Sequence, residues 1–159
     1  MDAESDSQAK HRTARVSVID KLAFEPDARS RAILRGVQIA EADLRASGGA
    51  FDLQAVRTLL RGVSRQRIDK QVREGSLLAV PGPSNRRVYP TVQFQADGSI
   101  VKGLKAVRDA LSTRNSWAVL NFLVQPDDRL NGRKPIELLK AGAIGDVVDA
   151  ARSMAQQGA

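Results

Sequence analysis

The sequence contains no cysteine. A disulfide framework and any cysteine-ligated zinc site are thereby excluded, and the composition suits a reducing cytoplasm. The one histidine, His11, lies in a polar N-terminal stretch. Neither a histidine-based triad nor a two-histidine metal centre can be built around it. Long hydrophobic runs are missing too. Nowhere do roughly eighteen apolar residues follow one another, so no membrane-spanning helix is expected. The opening residues, MDAESDSQAKHRTAR, lack the apolar segment of a signal peptide. No glycine-rich phosphate cradle occurs; Gly48–Gly49 is a lone doublet that reads as a hinge. The Asp127–Asp128 pair falls in a turn, where carboxylates cap helices or face water. Tyr89, next to Pro90, reads as a packing residue. No catalytic constellation emerges, so neither an enzyme nor a cofactor is expected.

What is present is a chain of 159 residues, 42% apolar, long enough for one domain or two small ones. Aromatics are only 4%, so single large residues such as Trp117 must anchor small cores. The net charge of +7 is unevenly placed. Residues 1–50 balance at eight cations against eight anions, whereas residues 61–87 hold seven cations against two anions, a net +5. A local basic patch on a near-neutral background is the footprint of phosphate-backbone binding. The alternative is an ordinary solvated basic face.

Residues 1–15 read as a polar tail, and 16–48 as helical. One stripe holds Val16, Ile19, Leu22 and Ala23, and after Pro26 a second holds Ile33, Leu34 and Val37 and can extend to Leu44. Ser-Gly-Gly at 47–49 ends that segment. From 49 to 96 the punctuation changes. FDLQAVRTLL is a short helix with Asp52 as its N-cap and Val56, Leu59 and Leu60 facing inward. A turn through Gly62 leads to Ser64, which caps a second helix ending at Gly75. Leu77–Val80 reads as a strand, PGPSNRR as a loop, and VYPTVQF as a return strand that Pro90 confines to a sheet edge. Helix, three-residue turn, helix and hairpin form the order of a winged helix-turn-helix.

In GVSRQRIDKQVREGSL the apolar residues Val63, Ile68, Val72 and Leu77 close a small core, leaving the other face to Gln66, Lys70 and Arg73, flanked by Arg65 and Arg67. Arginine can read guanine, glutamine adenine, and both cations can hold phosphates. The helix N-terminus at Ser64 favours a phosphate as well. Asp69 can pair with Arg65 one turn away. Asn85, Arg86 and Arg87 stand at the hairpin tip, where arginines can enter a narrow minor groove.

Residues 97–159 read as helical: GLKAVRDAL, a helix capped by Ser116, another opened by Pro135 and closed by Gly142, and a last one starting at Asp146. The run WAVLNFLVQPDDRLNGRKPIELLKAGAIGDVVDAA, residues 117–151, resembles the toxin-binding domain of MbcA/ParS/Xre-type antitoxins. Trp117, Leu120, Leu130, Gly132, Pro135, Leu138, Leu139, Gly142 and Val147 carry the resemblance. The upstream segment is similar to the winged DNA-binding part found ahead of that domain in some relatives. The resemblance implies a type II antitoxin that covers a RES-type, NAD-consuming toxin, and that represses its own operon as a homodimer on operator DNA. Partner contact would then fall to Trp117, Arg129, Leu130, Arg133, Lys134, Asp146 and Arg152. Two other readings fit the same residues, a stand-alone transcription regulator and a protein-docking adaptor. The expected fold is mainly α: a winged helix-turn-helix with a small β-hairpin, followed by a small helical domain.

Overall fold

Capping residues and left-handed glycines set nearly every element boundary in this chain. The computed structural model describes residues 27–158; the tail expected over 1–15 and the stripe at Val16–Ala23 lie outside them. Internal packing divides the chain into residues 1–36 and 37–159. Helix α1 (Ala28–Ala46) starts after Asp27, whose carboxylate accepts the Ser30 amide at 2.7 Å. That backbone hydrogen bond is the main cause holding the Asp27 carboxyl below its ordinary range. Gly48 and Gly49, at φ of 111° and 83°, turn the chain out of the helix. The stripe expected at Ile33, Leu34 and Val37 is exposed, as is Ile39. The apolar contacts of α1 come later, at buried Ala40 and at Leu44, the far end of the expected stripe, which packs on the helical core. Asp43 ties this end down by accepting from Asn121 Nδ2 at 2.8 Å and Gln125 Nε2 at 2.9 Å.

The next elements are β1 (Ala50–Phe51), α2 (Leu53–Leu59), α3 (Arg65–Glu74), β2 (Val80–Pro81) and β3 (Arg87–Pro90). The strands pair antiparallel in the order β1-β3-β2. Strand β3 is therefore central, not the edge strand that Pro90 implied. The missing Pro90 N–H falls at the last ladder position, opposite Ala50. Thr91 N then donates to Gly49 O at 3.0 Å and continues the pairing. The strand expected at Leu77–Val80 shrinks to Val80–Pro81, and Gln93 supplies the reason. Its fully buried side chain accepts from Leu78 N at 2.7 Å and donates to Leu78 O at 2.8 Å and Pro90 O at 3.0 Å. One amide side chain thus replaces a strand partner for Leu78.

Four helices follow: α4 (Leu104–Leu111), α5 (Ser116–Val124), α6 (Pro135–Lys140) and α7 (Ile144–Gln157). Asn115, not Ser116, caps α5, its side chain accepting from Trp117 N at 3.1 Å. Helix α7 begins at Ile144, which puts Asp146 inside its first turn. Pro135 opens α6 as expected.

Two apolar clusters result. Val56, Ile68, Leu77, Ala79, Tyr89 and Phe94 form the smaller, with Phe51 edge-on to Phe94 at 5.5 Å between ring centroids. Val107, Leu120, Leu123, Val147 and Ala151 lie at the centre of the larger. Ile100 packs against both. The described residues are mainly helical with one small antiparallel sheet, as the sequence predicts. None of their helices is long and apolar enough to cross a membrane.

Candidate nucleic-acid interface

Helix α3 is held at both ends by the residues that the sequence points to. Ser64, in extended conformation, accepts the Arg67 amide at 3.2 Å. Gly75, at φ 90°, turns its N–H back to Gln71 O at 3.0 Å. Ahead of it, Asp52 caps α2 by accepting from Ala55 N at 2.8 Å. Arg61 and Gly62 make the turn with φ of 60° and 81°. Arg57 Nε clasps that turn from α2 by donating to Val63 O at 3.1 Å. Burial then fixes the rotation of α3 about its axis. Ile68 is fully buried and Val72 packs beside it, so Arg65, Gln66, Arg67, Lys70 and Arg73 all face solvent.

The wing is a tight loop. Gly82 N donates to Arg86 O at 2.7 Å, and Ser84 and Asn85 both take left-handed conformations, at φ of 58° and 60°. A Cβ on Gly82 would stand 2.9 Å from Arg86 O, so only glycine lets the loop close this tightly. The register Val80↔Val88 and Pro81↔Arg87 leaves Asn85 and Arg86 exposed at the tip and Arg87 exposed at the base.

Helix and wing meet across a cleft of ≈ 870 Å³ lined by Arg65, Asp69, Asn85, Arg86 and Arg87, with Asp52 on the α2 side. Asp69 pairs with Arg65 at 4.0 Å, as its spacing predicts, and also with Arg87 of the wing at 3.4 Å. Lys70 lies 3.9 Å from Glu74. All five groups are substantially exposed, so these contacts orient side chains more than they stabilise the fold. Arg67, Arg73 and Arg86 have no ion-pair partner among the described residues. The exposed side chains of this surface are predominantly cationic. Below it Tyr89 is buried, and loss of solvent raises its phenol above the ordinary value of 10.0. Among the described residues no cluster of histidine, aspartate and glutamate could hold a metal.

The C-terminal residues expected at a partner surface are only partly brought together. Arg129, Leu130, Arg133 and Asp146 line a cleft of ≈ 450 Å³, joined by Asp149 and Ser153. Leu130 is itself buried in the larger core. Arg129 is less free than its loop position implies: it pairs with the nearly buried Asp127 at 3.2 Å and hydrogen-bonds Gln157. Arg152 pairs with Asp149 at 3.3 Å. Lys134 is exposed at the start of α6, and Trp117 packs partly buried on the core; neither lines the cleft.

Two features escaped the sequence reading. One is the contact of Asp69 with the wing; the other is Arg108, whose guanidinium reaches the end of α3 from α4. Both join residues far apart in sequence, and local spacing carries no signal for either.

No protein-family model matches the chain, and no curated protein matches it. Among solved structures, the NMR structure of Rv2175c is similar, with a TM-score of 0.55 and 30% identity over 67% of this chain and 80% of that one. On that identity and coverage, the chain belongs to the same family as Rv2175c.

Proposed function

We propose that the protein binds duplex DNA and reads its sequence through α3, with the wing on the adjacent groove. One observation carries this reading: Arg65, Gln66, Arg67, Lys70 and Arg73 are all exposed on one helix and Asn85, Arg86 and Arg87 on the wing, and Arg65 shares a single cleft with the three wing residues. Backbone affinity would come from the cations by release of condensed counterions. Base discrimination would come from Gln66 and from arginines on α3. The protein would act as a cytoplasmic homodimer repressing its own promoter, since paired half-sites multiply weak single-helix contacts. Selection of bound duplexes from a random-sequence library is the test. A recurrent motif supports the reading; a bound pool as random as the input refutes it.

A second reading concerns residues 97–159 and is favoured by the cleft at Arg129, Arg133 and Asp146, on the face of the block that resembles antitoxin toxin-binding domains. In that reading the block covers the active site of a RES-type toxin. Co-expression with the product of the adjacent open reading frame should give a stoichiometric complex. If that product is not toxic alone, the protein is a regulator without a toxin.

A further inference from the structure

We propose that Arg108 is a positioning residue for the DNA-reading helix, set there by the C-terminal helical block. The inference rests on the DNA-binding reading above. Arg108 belongs to α4, whose buried Leu104 and Val107 lie in the larger core. Its guanidinium crosses to the other end of α3. Nη2 donates to Glu74 O at 3.0 Å, and Nη1 donates to Arg73 O at 3.2 Å and Val72 O at 3.5 Å. The last carbonyls of a helix have no intrahelical partner and carry the negative end of its dipole. A planar guanidinium reaches Arg73 O and Glu74 O together with a fixed fork that a lysine ammonium does not present.

The fit is close. A Cβ built on Gly75 would stand 2.6 Å from Arg108 Nε and would push the guanidinium aside, while the left-handed φ of 90° is what requires glycine here. Helix α3 is therefore gripped at its N-terminus by Ser64, on its inner face by Ile68, and at its C-terminus by a residue from outside the winged segment. Arg73 stands on the gripped turn, so its reach depends on Arg108. The ion pair of Arg108 with neighbouring Asp109, at 4.0 Å, is long and largely open to water on the aspartate side, and competes weakly.

The test measures affinity of the full chain for the duplex it selects from a random library and for an unselected duplex, at a temperature well below the unfolding midpoint of every variant. Arg108→Met should lower affinity for the selected duplex roughly tenfold, the scale of a well-placed charge at a helix terminus. Arg108→Lys should fall between, because it keeps the charge but not the fork. In a double-mutant cycle with Arg73→Ala, the combined loss should be smaller than the product of the two losses, because both remove one contact. Amide exchange in the free protein should accelerate at residues 73–77 and stay unchanged at Ser64–Ile68, which a globally loosened fold would not do.

Wild-type affinity in Arg108→Met overturns the inference while leaving DNA reading intact. Multiplicative losses, with the salt slope reduced by about 0.9, overturn it in favour of a direct phosphate contact. If the wild-type chain binds no duplex, the DNA reading itself falls and this inference falls with it.

Discussion

The carboxylate of Asp69 lies 3.4 Å from Arg87 Nη1, joining helix α3 to the wing across eighteen residues of sequence. The same carboxylate holds Arg65 at 4.0 Å, so one anion aims two cations into one cleft. It also places a negative charge on the surface proposed to meet phosphates. Asp69→Asn should raise affinity for random duplex several-fold at low salt, as an anion leaves that surface. Discrimination between selected and random duplex should shrink, because Arg65 and Arg87 lose their orientation. Fluorescence anisotropy on both duplexes checks this; unchanged affinity for both contradicts the orienting role. Stability should change by less than about 1 kcal/mol, because the pairs are solvent-exposed.

Gln93 is the buried polar residue on which the winged segment depends. Gln93→Leu keeps most of the volume but strands Leu78 N, Leu78 O and Pro90 O without their present partner. The expected loss is about 2–4 kcal/mol, more than a single hydrogen bond is worth, because buried donors and acceptors are left unmade. Urea unfolding monitored by circular dichroism measures it. A change under about 0.5 kcal/mol would mean that water or a shifted backbone replaces the amide.

Why the sequence announces some of this and hides the rest follows from range. Ser64, Gly75, Asp52 and Pro135 act on backbone within four residues, so their chemistry is visible in the local order of residues. The central position of β3 was hidden because β1 is two residues long, too short to show alternation. Leu78 reads as a strand residue because it sits in the apolar run Leu77–Val80, yet its partner is a side chain fifteen positions away. On the functional surface, the cations of α3 and the wing are legible as charge, while their convergence on Asp69 is tertiary. Ile33 and Leu34 show the reverse case: a helical apolar rhythm that the described fold leaves exposed.

DNA reading and partner docking should be separable. Arg133→Glu with Lys134→Glu alters exposed charges and should weaken a toxin complex while leaving operator binding of the free protein intact. Arg129 is unsuitable for this purpose, because its reversal would set a second carboxylate against nearly buried Asp127. Trp117→Ala should damage both functions through the fold. Its cost should be about 2–3 kcal/mol, below that of a fully buried tryptophan, because the ring is only partly covered. Growth and NAD level in cells co-expressing the neighbouring product, beside a promoter reporter, give both readouts. A chain ending near Arg114 that still protects would remove the C-terminal block from any docking role.

Tyr89 makes a pH-dependent contribution whose sign follows from its burial. Its phenol is raised above 10.0 chiefly by desolvation, so the folded state holds the proton more tightly than the unfolded state. The stabilisation is fully present below pH 10 and is lost as pH climbs through the folded value. Tyr89→Phe should therefore change little at pH 7 and flatten the fall in stability above pH 10. Denaturant midpoints from pH 8 to pH 11 test this; parallel curves for both proteins would show that Tyr89 does not titrate differently on folding.

The most direct test of the whole account is the salt dependence of duplex binding by the wild-type chain and three variants. They are Lys70→Ala with Arg73→Ala, Arg86→Ala with Arg87→Ala, and Gln66→Ala. Anisotropy titrations on selected and random duplexes give log K against log salt. The wild type should show a steep negative slope, and each double variant should reduce it by up to about two on either duplex, as phosphate contacts are lost. Gln66→Ala should keep the slope and instead lose about 1–3 kcal/mol of preference for the selected duplex. A wild-type chain that binds both duplexes equally, or variants whose slopes and affinities match the wild type, would contradict the assignment of α3 and the wing as a DNA-reading surface.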